Sequence, residues 1–89
     1  MEIIILYGRQ MTSVEDCHKY IARILRFPSY YGENLDALYD CLSELGSHVH
    51  IILTETDLLR TALGDYADRL IAVFRDAAAR QDSYKFTAE

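Results

Sequence analysis

The sequence contains no tryptophan, one proline and four glycines, and these shortages limit the kinds of chain that it can form. Few prolines and glycines, together with 51% hydrophobic residues, exclude a disordered or collagen-like segment and favour one folded domain over residues 1–89. The apolar runs are too short to cross a bilayer, so no membrane association is expected. An acidic second residue and the lack of a basic leader predict that there is no signal peptide and that the protein is cytoplasmic.

Cysteine is also scarce, and the histidines do not form a pattern of metal ligands. Cys17 and Cys41 are the two cysteines, and the cytoplasm keeps such thiols reduced. Each falls on the apolar side of its predicted helix, which favours packing over nucleophilic catalysis. His48 and His50 alternate along a predicted strand, but no third or fourth ligand has suitable spacing. The sequence therefore predicts no catalytic residue, no metal and no cofactor, in a protein that is not an enzyme.

Positive charge is missing from a long central stretch of the chain. No lysine or arginine occurs between Arg26 and Arg60. The same stretch contains the acids Glu33, Asp36, Asp40, Glu44, Glu55 and Asp57. With a formal net charge of −5, a field of this sign repels nucleic acid and attracts a basic protein. Direct binding of nucleic acid is therefore not expected.

The middle of this stretch predicts an amphipathic helix that begins at Leu35. Pro28 interrupts any preceding helix, Gly32 is free to take a positive φ, and Asn34 is suited to cap a helix N-terminus. At about 100° per residue, one side carries Leu35, Leu38, Leu42 and Leu45, and the opposite side carries Asp36, Asp40 and Glu44. Like charges four residues apart destabilise an isolated helix. The pattern therefore favours a binding surface, with a solvated helix face as the alternative.

The other segments alternate between strands and helices. Continuous apolar runs predict strands at Glu2–Tyr7, buried on both faces, and at residues 49–53, while residues 83–87 predict a third strand at an edge. Helices are expected after Ser13, from residue 55 to about 63 with Thr54 as a cap, and from Asp65 to about residue 80. Gly46 is placed to end the central helix. Strands that are separated by helices pair in parallel, so the expected fold is α/β.

The central segment resembles the signature of the barstar family. The resemblance is carried by Pro28, Tyr30, Tyr31, Gly32, Asn34, Leu35, Asp36, Ala37, Leu38, Asp40, Cys41 and Leu42, and by a second patch at residues 73–77, VFRDA. Members of this family are small intracellular inhibitors of secreted bacterial ribonucleases. The resemblance spans almost the whole chain and implies a single barstar-like domain, with a three-stranded parallel sheet packed with about four helices.

The resemblance also implies which residues bind the partner. They are Tyr30, Asn34, Asp36, Tyr39, Asp40, Glu44 and Asp76. Tyr39 stands where the family commonly has tryptophan, and Asp76 stands where it usually has glutamate. Leu45 lies in a region that carries an aromatic contact in the best-known member. Tyr31 adjoins the turn, and we expect it to pack rather than to bind.

Charge pattern and resemblance together predict an immunity-type inhibitor of a barnase-like bacterial ribonuclease. A nuclease presents Arg, Lys and His side chains to phosphate, and charge-assisted hydrogen bonds between Arg and carboxylate are a strong class. The acidic helix would mimic RNA phosphates and plug the active site. The expected partner is a basic secreted ribonuclease, and the free protein is expected to be a monomer. The alternative is a non-inhibitory interaction module that binds another basic toxin or a nucleic-acid-binding protein.

Overall fold

A computed structural model of the chain describes residues 1–45, 48–82 and 84–89. It contains β1 (Glu2–Tyr7), a short 3-10 helix (Gly8–Gln10), α1 (Val14–Leu25), α2 (Leu35–Ser43), β2 (Val49–Thr54), α3 (Thr56–Leu63), α4 (Asp65–Ala79) and β3 (Tyr84–Ala88). The predicted α/β class, with a three-stranded parallel sheet and four α-helices, is confirmed. Within the ranges described, no helix has the length and apolar character that a membrane span needs.

The sheet has the order β1-β2-β3, with both pairs parallel. Ile4 is opposite Ile51, which is opposite Phe86, and residues paired in this way share one face of a sheet. That inner face includes the buried Leu6 and Leu53, and it joins a single core cluster to which all four α-helices contribute side chains. The helices therefore cover one face of the sheet.

The opposite face of the sheet is open, which corrects the expectation that β1 is buried on both faces. Ile3 is 62% exposed and Ile5 is 42% exposed. The reason lies in the connections, because α1 and α2 between β1 and β2, and α3 and α4 between β2 and β3, all pack on the inner face. A continuous apolar run is typical of a strand that is covered twice, but here the four α-helices of the described residues all lie in one layer on the inner face.

The helix starts agree with the sequence in some places and differ in others. Ser13 caps α1 as predicted, since its Oγ accepts a 3.0 Å hydrogen bond from the backbone N–H of Asp16. Thr54 does not cap α3, because Glu55 occupies the N-cap position with a left-handed φ of 63°. The Glu55 carboxylate instead accepts a hydrogen bond from the backbone N–H of Arg9. The expected cap at Gly46 and the expected strand start at Ser83 lie outside the described residues.

Candidate protein-binding site

Asn34 fixes the start of α2, as the sequence predicts. Its Oδ1 accepts a 2.8 Å hydrogen bond from the backbone N–H of Ala37, and its Nδ2 donates to the carbonyl oxygen of Gly32 at 3.1 Å. The helix then begins at Leu35. Because both polar groups of the amide are engaged locally, Asn34 holds the preceding loop and the helix in a fixed relative orientation.

The left-handed residue before α2 is Glu33 and not Gly32. Glu33 has a φ of 52°, whereas Gly32 is not among the positive-φ residues of the described chain. A Cβ at Gly32 would lie 3.2 Å from Nδ2 of Asn34, a tight contact that the capping side chain would have to relieve by a small shift. The expectation of a positive φ at Gly32 is wrong, because Glu33 takes that conformation instead.

Helix α2 is amphipathic in the predicted sense. Leu38 and Leu42 are completely buried, while Leu35 and Leu45 are half-buried against the core. The exposed side carries Glu33, Asp36, Asp40 and Glu44, which we call the acidic face. Core packing thus orients the helix so that its carboxylates face solvent.

None of the ion pairs formed among the described residues involves a carboxylate of the acidic face. The ion pairs among the described residues are Arg9 with Glu55, Lys19 with Glu15, and Arg60 with Asp68. Moreover, Glu44 is the C-cap of α2, and the last turn contains no basic residue. A negative charge at a helix C-terminus opposes the helix dipole, typically by about 0.3–1 kcal/mol. Helix stability therefore does not explain why these acids are grouped here.

An exposed tyrosine stands beside these carboxylates. Tyr30 is 83% exposed and lines a shallow depression of about 250 Å³. Asp40 and Glu44 line the same depression from α2. The structure therefore brings three of the predicted partner-binding residues to one surface, where an aromatic ring and two carboxylates lie side by side.

Tyr31 forms the floor of this region and packs inward, as predicted. It is only 9% exposed, and its ring centroid lies 5.0 Å from that of Phe27. Its hydroxyl lies 2.6 Å from Nδ1 of His18 in α1. Burial raises the pKa of Tyr31, so its hydroxyl stays protonated and is available for this hydrogen bond.

The other predicted binding residues lie around this centre. Tyr39 is half-buried and packs against the core from α2. Asp76 is exposed on α4 and does not line the depression. Gln81 connects this turn of α4 to the end of α2, because its Nε2 donates to the carbonyl oxygens of Leu42 at 2.9 Å and Ala77 at 3.3 Å. Gln81 therefore joins the C-terminal end of α4 to the end of α2, five residues after Asp76.

The cysteines do not have the properties of nucleophiles. Burial raises the pKa of Cys17 to about 12. Burial also raises the pKa of Cys41, and the nearby carboxylates of Glu44 and Asp40 raise it further. Both thiols are therefore protonated near neutral pH and unreactive.

His48, just before β2, and His50, within it, form no metal site in the part of the chain that the structure describes. His50 lies on the open face of the sheet, and its Nε2 is 2.7 Å from Oγ1 of Thr87. Within the same ranges, no cluster of three or more His, Cys, Asp or Glu side chains is arranged to hold a metal ion. A hydrogen bond to a hydroxyl thus accounts for the placement of His50.

Comparison with known proteins identifies the family of the chain. The family model described as "Barstar (barnase inhibitor)" matches residues 1–89. The chain belongs to the Barstar family. A Bacillus subtilis protein with the name "Putative ribonuclease inhibitor YrdF" is 36% identical over 91 residues, an alignment that covers 100% of each chain. The family resemblance of the central segment is therefore confirmed for this Barstar-family chain.

Sequence reasoning missed one polar residue next to the site. His18 is completely buried in α1, between Tyr31 of the loop and Tyr66 of α4. Its position three residues before the buried Ile21 places it on the apolar side of the helix. That spacing was the available signal, because a histidine on a buried helix face needs hydrogen-bond partners.

Proposed function

We propose that this Barstar-family protein is an intracellular inhibitor of a basic, secreted, barnase-like ribonuclease and that it catalyses no reaction itself. The family description and the name of the Bacillus subtilis relative support this role. The observation that carries the proposal is the acidic face itself. Its carboxylates are exposed, they form none of the ion pairs seen among the described residues, and one of them opposes the dipole of its own helix.

The proposed mechanism is occupation of the phosphate-binding groups of the nuclease. Asp36 and Asp40 are four residues apart on one helix, which places their Cβ atoms roughly 5–6 Å apart. Two carboxylates at this spacing accept charge-assisted hydrogen bonds from the Arg, Lys and His groups that otherwise hold RNA phosphate. The helix therefore blocks the active site without reacting.

Tyrosines complete the proposed contact around these charges. Tyr30 offers nearly its whole ring to a partner. Tyr39 offers the exposed part of a ring that is anchored in the core. Buried aromatic side chains often dominate the energy of an interface, and they exclude water from the charged contacts beside them. Glu44 and Asp76 would act at the rim, where charge contributes more to the rate of association than to affinity.

Local rigidity supports the same role. The cap by Asn34 and the burial of Leu38 and Leu42 fix α2 before any partner arrives. A surface that is already ordered loses less conformational entropy on binding, and this increases affinity.

The test is a titration of RNA cleavage by purified barnase with the purified protein. We expect cleavage to fall linearly to zero at one equivalent, as it does for a tight stoichiometric inhibitor. The double variant Asp36→Asn, Asp40→Asn is the isosteric control and should leave cleavage intact at the same ratio. Undiminished cleavage in the presence of a calorimetrically demonstrated complex would instead identify a non-inhibitory binding module, and undiminished cleavage without a complex would remove the barnase-like target.

A further inference from the structure

His18 connects three elements of the fold through two short hydrogen bonds. Its Nδ1 lies 2.6 Å from the hydroxyl of Tyr31, in the loop between α1 and α2. Its Nε2 lies 2.7 Å from the hydroxyl of Tyr66, in the first turns of α4. The imidazole is completely buried, so water does not replace either partner. The position of the loop is thereby tied to α4 through α1.

The loop that presents Tyr30 is tied to α2 by the bond from Nδ2 of Asn34 to the carbonyl oxygen of Gly32, and it has few other hydrogen bonds. Within the described residues, the backbone N–H of Phe27 donates to the carbonyl oxygen of Ala22, and that of Tyr31 donates to Pro28 within the loop itself. The bond from the Tyr31 hydroxyl is the one side-chain hydrogen bond in those ranges that joins residues 27–33 to a helix that precedes them. Tyr30 is 83% exposed and has little packing of its own, so the anchoring of Tyr31 sets its place.

We propose that the hydrogen-bonded chain Tyr31, His18, Tyr66 positions Tyr30 for binding of the ribonuclease, with Tyr66 acting from α4 through the imidazole of His18. Tyr66 is thus a positioning residue that is remote in sequence from the acidic face. The proposal rests on the proposed function for its effect on binding, whereas its effect on the loop is independent of any partner.

The chemistry of the imidazole explains how Tyr66 acts at a distance. A neutral histidine has one donor nitrogen and one acceptor nitrogen, so one tyrosine hydroxyl donates to the ring and the other accepts from it. The bond at one nitrogen fixes the tautomer and hence the role of the other nitrogen. Burial keeps the ring neutral by lowering the pKa of His18, although the charge of Glu33 partly offsets that shift. Removal of the Tyr66 hydroxyl therefore frees the ring and weakens its bond to Tyr31.

The chain offers a matched control for Tyr66→Phe. Tyr84 lies in β3, and its buried hydroxyl donates a 3.0 Å hydrogen bond to the carbonyl oxygen of Phe74. Tyr84→Phe therefore also deletes one tyrosine hydroxyl that is engaged inside the protein, but it leaves the three-residue chain at His18 intact. Any effect that arises from general destabilisation should occur in both variants.

The first measurement uses the free protein and follows hydrogen exchange of the Tyr31 amide. In Tyr66→Phe we expect exchange to be roughly fivefold faster than in wild type, the factor that corresponds to one net hydrogen bond of about 1 kcal/mol. In Tyr84→Phe we expect the wild-type rate. Equal Tyr31 exchange in wild type and Tyr66→Phe would overturn the proposal, whether or not the protein inhibits a nuclease.

The second measurement follows dissociation from barnase in a double-mutant cycle with Tyr30→Ala. Tyr66→Phe should raise the dissociation rate roughly fivefold and leave the association rate unchanged, because no charge is altered. The same substitution should have no further effect when Tyr30 is already alanine. An equal effect in both backgrounds would show that Tyr66 does not act through Tyr30. If wild type does not bind barnase, the proposed function fails, while the exchange experiment still decides whether the chain positions the loop.

Discussion

Tyr30 and Asp40 line one depression although the first belongs to a loop and the second to the middle of α2. Their relation depends on the angle at which the loop enters the helix, and the side chain of Asn34 fixes this angle through bonds to both. An aromatic contact and a carboxylate therefore reach a partner together. Binding should consequently be sensitive both to the charge on α2 and to the geometry of the loop.

Asp40→Ala should weaken binding to barnase by at least about 2 kcal/mol, the usual threshold for a hot spot. The reason is its central place on the acidic face, where a partner excludes water from the contact. Glu44→Ala should cost far less, because Glu44 lies at the end of the helix, where solvent screens its charge. Isothermal titration calorimetry measures both affinities.

Asp65→Ala is the control for the change in net charge. Asp65 is exposed in the first turn of α4 and outside the acidic face. It should leave affinity nearly unchanged, and neither Asp40→Ala nor Glu44→Ala should unfold the protein. Small and equal losses at Asp40, Glu44 and Asp65 would reduce the acidic face to an ordinary solvated surface.

Association with barnase should slow as salt is added. The acidic face draws a basic partner over long range, and the screening length falls to about 8 Å at physiological ionic strength. Stopped-flow measurements between low and high salt should show a strong decrease of the association rate and a smaller change of the dissociation rate. An association rate that does not depend on salt would contradict electrostatic steering.

The fold could be predicted from the sequence where local patterns and tertiary packing agree. Ser13 and Asn34 have the right chemistry for caps, and both side chains accept the expected bonds. The prediction for β1 was wrong because an apolar run reports hydrophobicity and not the number of layers that cover it, so Ile3 and Ile5 remain exposed. The prediction that Thr54 caps α3 was wrong, because Glu55 occupies the cap position and its carboxylate accepts a hydrogen bond from the backbone N–H of Arg9. These two residues are more than forty positions apart in sequence, so a local sequence pattern does not reveal their contact.

The candidate site was predictable only in part for a similar reason. Helical spacing places Asp36 and Asp40 together on the exposed side of α2, and the structure agrees. The proximity of Tyr30 to Asp40 depends on the path of the loop, which periodicity does not describe. The role of His18 depends on Tyr66, which is 48 residues later in the chain. Contacts between residues so far apart in sequence can be identified only when the fold is known.

Asn34→Ala should destabilise the protein by about 1 kcal/mol, since it removes the acceptor for the Ala37 N–H. Asn34→Asp keeps that acceptor and adds a negative charge at a helix N-terminus, so its stability should be close to that of wild type. Urea unfolding measures both. Equal stability of Asn34→Ala and wild type would show that the cap does not contribute to folding.

The free energy of unfolding should decrease as the pH is lowered, and part of this decrease should depend on His18. Burial lowers the pKa of His18 in the folded state, while an unfolded histidine titrates near about 6.5. Below that pH the unfolded state therefore binds more protons than the folded state. Above that pH neutral His18 makes its full contribution to the free energy of unfolding. This contribution is lost as pH falls through about 6.5, by up to about 1.4 kcal/mol per pH unit.

The comparison that isolates this effect is wild type against His18→Gln, with urea unfolding at pH 8 and at pH 5.5. Wild type should lose more stability between these values than the variant, because glutamine does not titrate. The carboxylates and the other histidines contribute equally to both proteins and cancel in the difference. Identical losses would mean that His18 binds a proton as readily in the folded state as in the unfolded chain.

The most direct test of the central claim is competition between the protein and a nucleoside monophosphate for barnase. If Asp36 and Asp40 occupy the phosphate-binding groups, the apparent dissociation constant of the complex should rise in proportion to the mononucleotide concentration once that site is saturated. Asp40→Ala should bind more weakly at every mononucleotide concentration, because one of the competing carboxylates is gone. A dissociation constant that stays the same at saturating mononucleotide would show that the protein binds elsewhere, and it would contradict phosphate mimicry by the acidic face.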